Sequence, residues 1–132
     1  KYMFLGEKDY QQLYLIKKFI KNKFNTKVIA CKTLRNKNSL PYSSRNFLLK
    51  KNYLFKASKI SKMIKNFKQQ IKKNFKKINE LKKIKKDIER IGVDIEYLEI
   101  RNKNNFTKNI NKKNFKIFIA YYINKVRLID NF

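Results

Sequence analysis

The stretch YMFLGEKDYQQ, residues 2–12, decides the reading of the fold. Residues 2–5 form a short apolar run ending at Gly6, the pattern of the end of a buried strand. Asp9 stands where a helix N-cap is expected, because a short carboxylate accepts from the free N–H groups of a first turn. Gln12, three residues on, completes a capping-box spacing. Leu13, Ile16, Phe19 and Ile20 then supply a helical stripe. Lys17, Lys18, Lys21 and Lys23 crowd the end where the helix dipole favours cations. Residues 27–31, KVIAC, read as a second buried strand. Strand, helix, strand is a piece of an α/β layer fold. A parallel pair cannot cover both of its faces, so the rest of such a sheet is expected upstream. The opening residue, Lys1 rather than Met, fits a sequence that begins mid-protein.

Downstream, residues 36–44 are a polar loop containing Pro41, and from about Asn46 the pattern changes. Ile60, Met63, Ile64, Phe67, Ile71, Phe75 and Ile78 fall at helical spacing, continued by Leu81, Ile84, Ile88 and Ile91. No Gly or Pro interrupts residues 50–91. One long helix, a coiled coil, or two helices with a polar joint near residues 69–74 all satisfy that periodicity. Gly92 is a natural C-terminal stop. Residues 95–101, 115–123 and 126–129 are three strand candidates. A helical pair followed by a small antiparallel sheet predicts an α+β unit.

Composition narrows the chemistry. The 132 residues hold 35 Lys+Arg against 9 Asp+Glu, a formal net charge of +26, with no His, no Trp and one cysteine, Cys31. Without His there is no Ser-His or Cys-His nucleophilic pair and no imidazole metal site. A single Cys permits no intrachain disulfide and makes a reducing compartment the default. The longest apolar run, residues 117–123, is far short of a membrane span, and no signal-peptide pattern opens the chain. Lys, Asn, Ile, Phe and Tyr make up 83 of the 132 residues. All have A/T-rich codons, whereas nucleic-acid readers favour Arg for its bidentate fork. Drift in gene composition therefore explains the charge better than selection for a polyanion does. The field would still hold nucleic acid nonspecifically at low salt.

Three clusters carry candidate chemistry. Gly6, Glu7, Lys8, Asp9, Tyr10, Gln11 and Gln12 sit where a strand feeds a helix, the crevice where open α/β sheets bind nucleotides. The same residues also read as a plain capped helix start. Leu34 and Arg35, followed by Tyr42, Ser43, Ser44, Arg45 and Asn46, place two hydroxyls and a guanidinium on a loop entering a helix, a cradle for phosphate. On local grounds an N-cap serine pair is the simpler reading. VRLIDN, residues 126–131, reads as a terminal edge strand with an Arg127–Asp130 pair.

In order and spacing these segments resemble the pantothenate synthetase (pantoate–β-alanine ligase) family. That family carries GEKDxQQ, then V-R…D-G-L-A-x-S-S-R-N, a central E-I strand and a terminal A-R-L-I-D-N. This chain has GEKDYQQ at 6–12, LRNKNSLPYSSRN at 34–46, YLEI at 97–100 and VRLIDN at 126–131. The resemblance implies the C-terminal end of a Rossmann-like nucleotidyltransferase domain, residues 1–46. A small helical and antiparallel-sheet lid domain, residues 47–132, follows it. It implies a cytoplasmic, homodimeric enzyme without a membrane segment. In the implied reaction the carboxylate of pantoate attacks the α-phosphate of Mg2+-bound ATP, giving pantoyl adenylate and releasing pyrophosphate. The amine of β-alanine then resolves the pantoyl adenylate to pantothenate and AMP. By the same resemblance Gly6, Glu7, Lys8 and Asp9 line the ATP site, and Leu34 meets adenine through its backbone. Tyr42, Ser43, Ser44 and Arg45 form a mobile triphosphate loop, and Gln12 bonds pantoate. Lys8, Ser43, Ser44 and Arg45 are the expected catalytic set.

Departures from the family pattern are Asn38, Ser39, Leu40 and Pro41 in place of D-G-L-A, and Lys32 and Asn124 where Pro and Gly are usual. The family's HxGH-type segment is absent from these residues. A fragment inactive on its own is therefore expected. A basic helical nucleic-acid-binding module and an inactive product of a decayed ligase gene are the competing readings.

Overall fold

A computed structural model describes residues 1–21 and 23–132. The opening strand β1 (Tyr2–Gly6) and β2 (Lys27–Cys31) pair in parallel, from Tyr2 opposite Lys27 to Gly6 opposite Cys31. The helix α1 (Tyr10–Ile20) is the crossover between them. Within these residues the strands expected to be buried are open to solvent. Tyr2 and Phe4 are 68% and 67% exposed, and no residue of β1 or β2 is fully buried. Two strands and one helix offer too little cover for both faces of a parallel pair. In α1, Leu13 and Ile20 are buried, but Phe19 turns outward and lies 5.9 Å from Phe24, with Lys23 over its ring. Phe19 is therefore no part of the helix's buried stripe.

The helical periodicity resolves into two helices. The long helix α2 (Lys51–Lys73) buries Ala57, Ile60, Ile64, Phe67 and Ile71, a spacing of three and four that keeps one face inward. Asn74 ends it in extended backbone, its N–H bonded to Gln70 O. The Asn74 side chain then accepts from Lys76 N–H and caps a 3-10 turn at Phe75–Glu80. An Asn favours such local bonds over a helix interior, so one residue both stops α2 and starts the next turn. The helix α3 (Leu81–Glu89) follows, and Gly92 takes φ +83° in the turn beyond it.

A three-stranded antiparallel sheet completes the chain: β3 (Asp94–Asn102), β4 (Phe115–Ile123) and β5 (Val126–Asn131), in the order β3-β4-β5. Both outer strands run past the sequence expectation, β3 by a residue at each end and β5 through Asp130 and Asn131. The central strand β4 is buried at seven of nine positions. The α2 face, Ile88 of α3 and the sheet close one continuous core that ends at Phe132. The β4–β5 connection is Asn124-Lys125, with φ +47° and +63°. That is the geometry of a two-residue turn that wants φ above zero at both positions.

Candidate active site

The strand-end segment leaves β1 through a 3-10 turn, Glu7–Asp9, before α1 begins. Asp9 occupies the N-cap position of α1, yet its side chain makes no capping bond. The expected Asp9–Gln12 capping box is therefore absent: the 3-10 turn leaves the Asp9 backbone at φ −95°, ψ 59°, outside the extended geometry usual for a cap. That leaves the Asp9 carboxylate exposed and uncommitted among the described residues. Gly6 has ordinary extended backbone and nothing within 4 Å of where a Cβ would stand. The fold alone would accept a side chain there.

What holds the turn comes from the far end of the chain. The Asn131 side-chain amide donates to Glu7 O at 2.9 Å and Lys8 O at 2.7 Å. Beside it, Arg35 donates to both oxygens of Asp130, at 2.7 and 2.8 Å, and to the carbonyls of Ser39 and Asn131. Asp130 also accepts from Asn131 N–H at 2.8 Å, and the Arg35 guanidinium lies 4.4 Å from the Phe132 ring centre. Burial of the Asp130 carboxyl pushes its pKa up, and the Arg35 fork pulls against that shift. The expected Arg127–Asp130 pair is thus wrong. Adjacent strand positions alternate in direction, and Arg127 instead pairs with Glu96 on β3 at 2.6 and 2.9 Å. The bond from Asn131 to the turn joins residues more than 120 positions apart, which no local pattern signals.

Lys8 and Ser43 line one small recess together with Asp130. Burial lowers the pKa of Lys8, with Asp9 and Asp130 opposing that shift and Arg45 and Arg35 adding to it. Lys8, Asp9 and Gln12 line a neighbouring cavity of about 110 Å3. Ser43 Oγ accepts from Arg45 N–H at 3.3 Å, capping a 3-10 turn at Ser44–Leu48 rather than α2 itself. The Arg45 guanidinium donates to Arg127 O at 2.9 Å, which rests it on β5. Leu34 and Tyr42 are exposed, and Leu34 O is taken by Tyr42 N–H. The structure thus brings Lys8 and Ser43 to one recess, rests Arg45 on Arg127 O of β5, and leaves Leu34 and the Tyr42 ring facing outward.

The loop accepts its unusual residues. Ser39 stands where the resembling family has Gly, and its φ is +69°, the region that favours glycine. Pro41 is opposite Arg35 in an isolated bridge whose bonds use Leu40 O and Tyr42 N, so the missing N–H is not needed. Phe67 is buried and Phe75 packs 6.2 Å from Phe115, so neither offers a stacking platform for bases. No helix is long and apolar enough to cross a membrane, and no cluster of three or more metal-ligating side chains exists among the described residues.

Fold and site together define a mixed α/β protein in which a lysine-bearing strand-end turn is braced by the last strand of an antiparallel sheet. The family model for pantoate-beta-alanine ligase matches residues 1–132. A pantothenate synthetase from Francisella tularensis subsp. mediasiatica is 40% identical over 131 residues, covering 98% of this chain and 42% of the relative. A crystal structure of pantoate-beta-alanine ligase from Francisella tularensis, complexed with beta-gamma ATP and beta-alanine, is 36% identical with a TM-score of 0.74. It is matched over 99% of this chain and 42% of its own. The pantothenate synthetase of Thermus thermophilus shares the fold, with a TM-score of 0.83 at 21% identity over 99% of this chain and 49% of its own. The chain belongs to the pantoate-beta-alanine ligase family. It spans about 42% of the length of the curated relatives it matches.

Proposed function

We propose that these residues are the C-terminal portion of an ATP-dependent ligase that joins pantoate to β-alanine through a pantoyl adenylate. The observation that carries this reading is the convergence of Lys8 and Ser43 on one recess, with Arg45 close enough to perturb Lys8. Family membership and the ATP and β-alanine held by the Francisella tularensis ligase support the same substrates here.

In the proposed first step a pantoate carboxylate oxygen attacks the α-phosphorus of ATP, and the bond to pyrophosphate breaks. Lys8 and Arg45 offset the charge that builds on the phosphates, and the Ser43 and Ser44 hydroxyls donate to them. Glu7 and Asp9 belong to the same turn, where Asp9 accepts from the ribose hydroxyls. Leu34 meets adenine through its backbone, and Gln12 hydrogen-bonds pantoate. The open space beside Gly6 lets the nucleotide approach the backbone. Arg45 leaves its resting place on Arg127 O when the Tyr42–Ser44 loop closes over the triphosphate. In the second step the β-alanine amine attacks the acyl carbon, and AMP leaves. Mg2+ fits this site as the companion of the triphosphate rather than as a resident ion, since it binds through phosphates and one or two carboxylates. These residues alone would bind nucleotide without completing the reaction, and the working enzyme would be a cytoplasmic homodimer whose lid begins at about residue 47.

The test is pantothenate and AMP formation from pantoate, β-alanine and Mg2+-ATP by the protein in its longest native form. Lys8→Ala is expected to lower pyrophosphate release by about 100-fold or more with little change in unfolding midpoint. An unchanged rate would remove Lys8 from the chemistry. Absence of turnover in the unsubstituted protein would favour an inactive product.

A further inference from the structure

A second basic concavity lies on the other side of the Glu7 turn. Its volume is about 370 Å3, within the range of roughly 300–1,000 Å3 typical of small-molecule sites. Lys65, Lys68 and Lys72 enter it from α2, Lys32 and Arg35 from the segment after β2, and Lys116 from β4. Six of the eleven lining residues are therefore cations, against 35 of 132 in the whole chain, so the local density exceeds what composition alone would place there. Glu7 is the one carboxylate side chain on its wall among the described residues.

The arrangement works against folding when the concavity holds only water. Lys65, Lys68 and Lys72 share one helical face at spacings of three and four, where like charges repel. None of the five lysines forms a salt bridge among the described residues, and the Arg35 guanidinium is committed to Asp130. Lys116 is held in place by the Tyr10 ring, 4.5 Å from its ammonium. Burial, with Lys116, Lys72, Arg35 and Lys103 around it, pushes the Lys68 ammonium down to about 8. Thr33 and Gln69 add neutral donors to the wall.

We propose that this concavity is a second anion site, built for a compact multiply charged phosphate such as inorganic pyrophosphate, inorganic triphosphate or the polyphosphate tail of a nucleotide. Cations converging from three chain segments on one hollow match charge concentrated in one small ion. A polynucleotide spreads its charge along a line, one per about 3.4 Å of each strand, and would be gripped equally by the exposed lysines of α3. The hollow shares only Glu7 with the candidate ATP residues. Lys8, Asp9, Gln12, Ser43, Ser44 and Arg45 do not line it, and Glu7 and Asn131 form the boundary. The proposal stands whether or not the chain takes part in making pantothenate.

Calorimetric titration of the 132-residue chain with pyrophosphate and with triphosphate, at about 0.15 M salt to screen the general field, tests it. Lys68→Gln combined with Lys72→Gln is expected to weaken pyrophosphate by about tenfold or more. Lys82→Gln combined with Lys83→Gln, an equal loss of charge on α3, should change it less than about twofold. Far-ultraviolet circular dichroism shows that each variant folds. As a second readout, saturating pyrophosphate should raise the Lys68 pKa from about 8, followed by NMR at its ammonium with Lys32, Lys65, Lys72, Lys103, Lys116, Arg35 and Glu7 facing it. Equal losses in the two double variants, or no binding to the unsubstituted chain, would each overturn the proposal. So would a short single-stranded oligonucleotide that binds more tightly than triphosphate and is released by the α3 substitutions.

Discussion

The parallel pair β1-β2 with α1 and the antiparallel sheet β3-β4-β5 with α2 and α3 treat their apolar residues in opposite ways. The hydrophobic core draws its buried members from Leu40 onward and includes none of the first 39 residues. Tyr2, Met3, Phe4, Leu15, Phe19, Phe24 and Leu34 are all large, apolar and exposed. The region that carries Lys8 and Asp9 is thus the poorly covered one, and the region that carries the core lends it support. The ties that make that support include the Asn131 amide on the Glu7 and Lys8 carbonyls, the Arg35–Asp130 fork, the Tyr10 hydroxyl on Lys103 O, the Lys116 ammonium over the Tyr10 ring, and an aromatic cluster. In that cluster Tyr14 meets Phe106 at 5.0 Å and Phe106 meets Phe118 at 5.5 Å. Within these 132 residues, the buried core and the candidate chemistry sit in different segments that meet at the last strand.

The sharpest way to break this contrast is to remove one aromatic ring from each region. Phe67→Ala empties a fully buried position under α2 and is expected to cost about 3–5 kcal/mol of unfolding free energy in urea. Phe4→Ala, on a strand face open to water, should cost less than about 0.5 kcal/mol. Similar losses would mean that the first strand is packed as firmly as the core.

Smaller effects come from backbone conformations that the side chains resist. Lys125 at φ +63° and Ser39 at φ +69° both sit where glycine is free and other residues are strained. Lys125→Gly, in the turn of the core sheet, should raise stability by about 1 kcal/mol. Ser39→Gly, in the loop between the regions, should raise it by no more than about 1 kcal/mol, offset by the freer unfolded chain. Thermal midpoints of the two variants measure both gains.

A further effect depends on pH. Unfolded, Lys68 keeps its proton to about 10.5, whereas in the folded chain it loses it near 8. Between these values the unfolded state binds more protons, so this residue makes stability rise as pH climbs from about 8 towards 10. Below 8 the folded chain carries the whole burden of the half-buried charge. Lys68→Met should remove that rise from the difference between midpoints measured at pH 7.5 and 9.5.

Much of this organisation is legible in the sequence, because periodicity encodes elements and their inner faces. The spacing of Ile60, Ile64, Phe67 and Ile71 marks the buried side of α2, and the run at 115–123 coincides with β4. The GEKD and SSRN segments mark the candidate site. Partners are less legible than faces. Arg127 and Asp130 lie close in sequence, yet register sends one to Glu96 and the other to Arg35. Asp9 has the right identity and spacing for a cap, but the 3-10 turn before it takes the backbone out of capping geometry. Asn131 meets the turn only because β5 runs two residues further than its apolar pattern.

Amide hydrogen exchange in the unsubstituted chain and in Asn131→Ala tests most directly whether the last strand supports the turn. Loss of the two bonds to Glu7 O and Lys8 O should speed exchange at Lys8–Gln12 by about tenfold, while Ile117, Ile119 and Tyr121 of β4 keep their protection. Unchanged exchange in the turn, or equal loss of protection in β4, would contradict that division of labour.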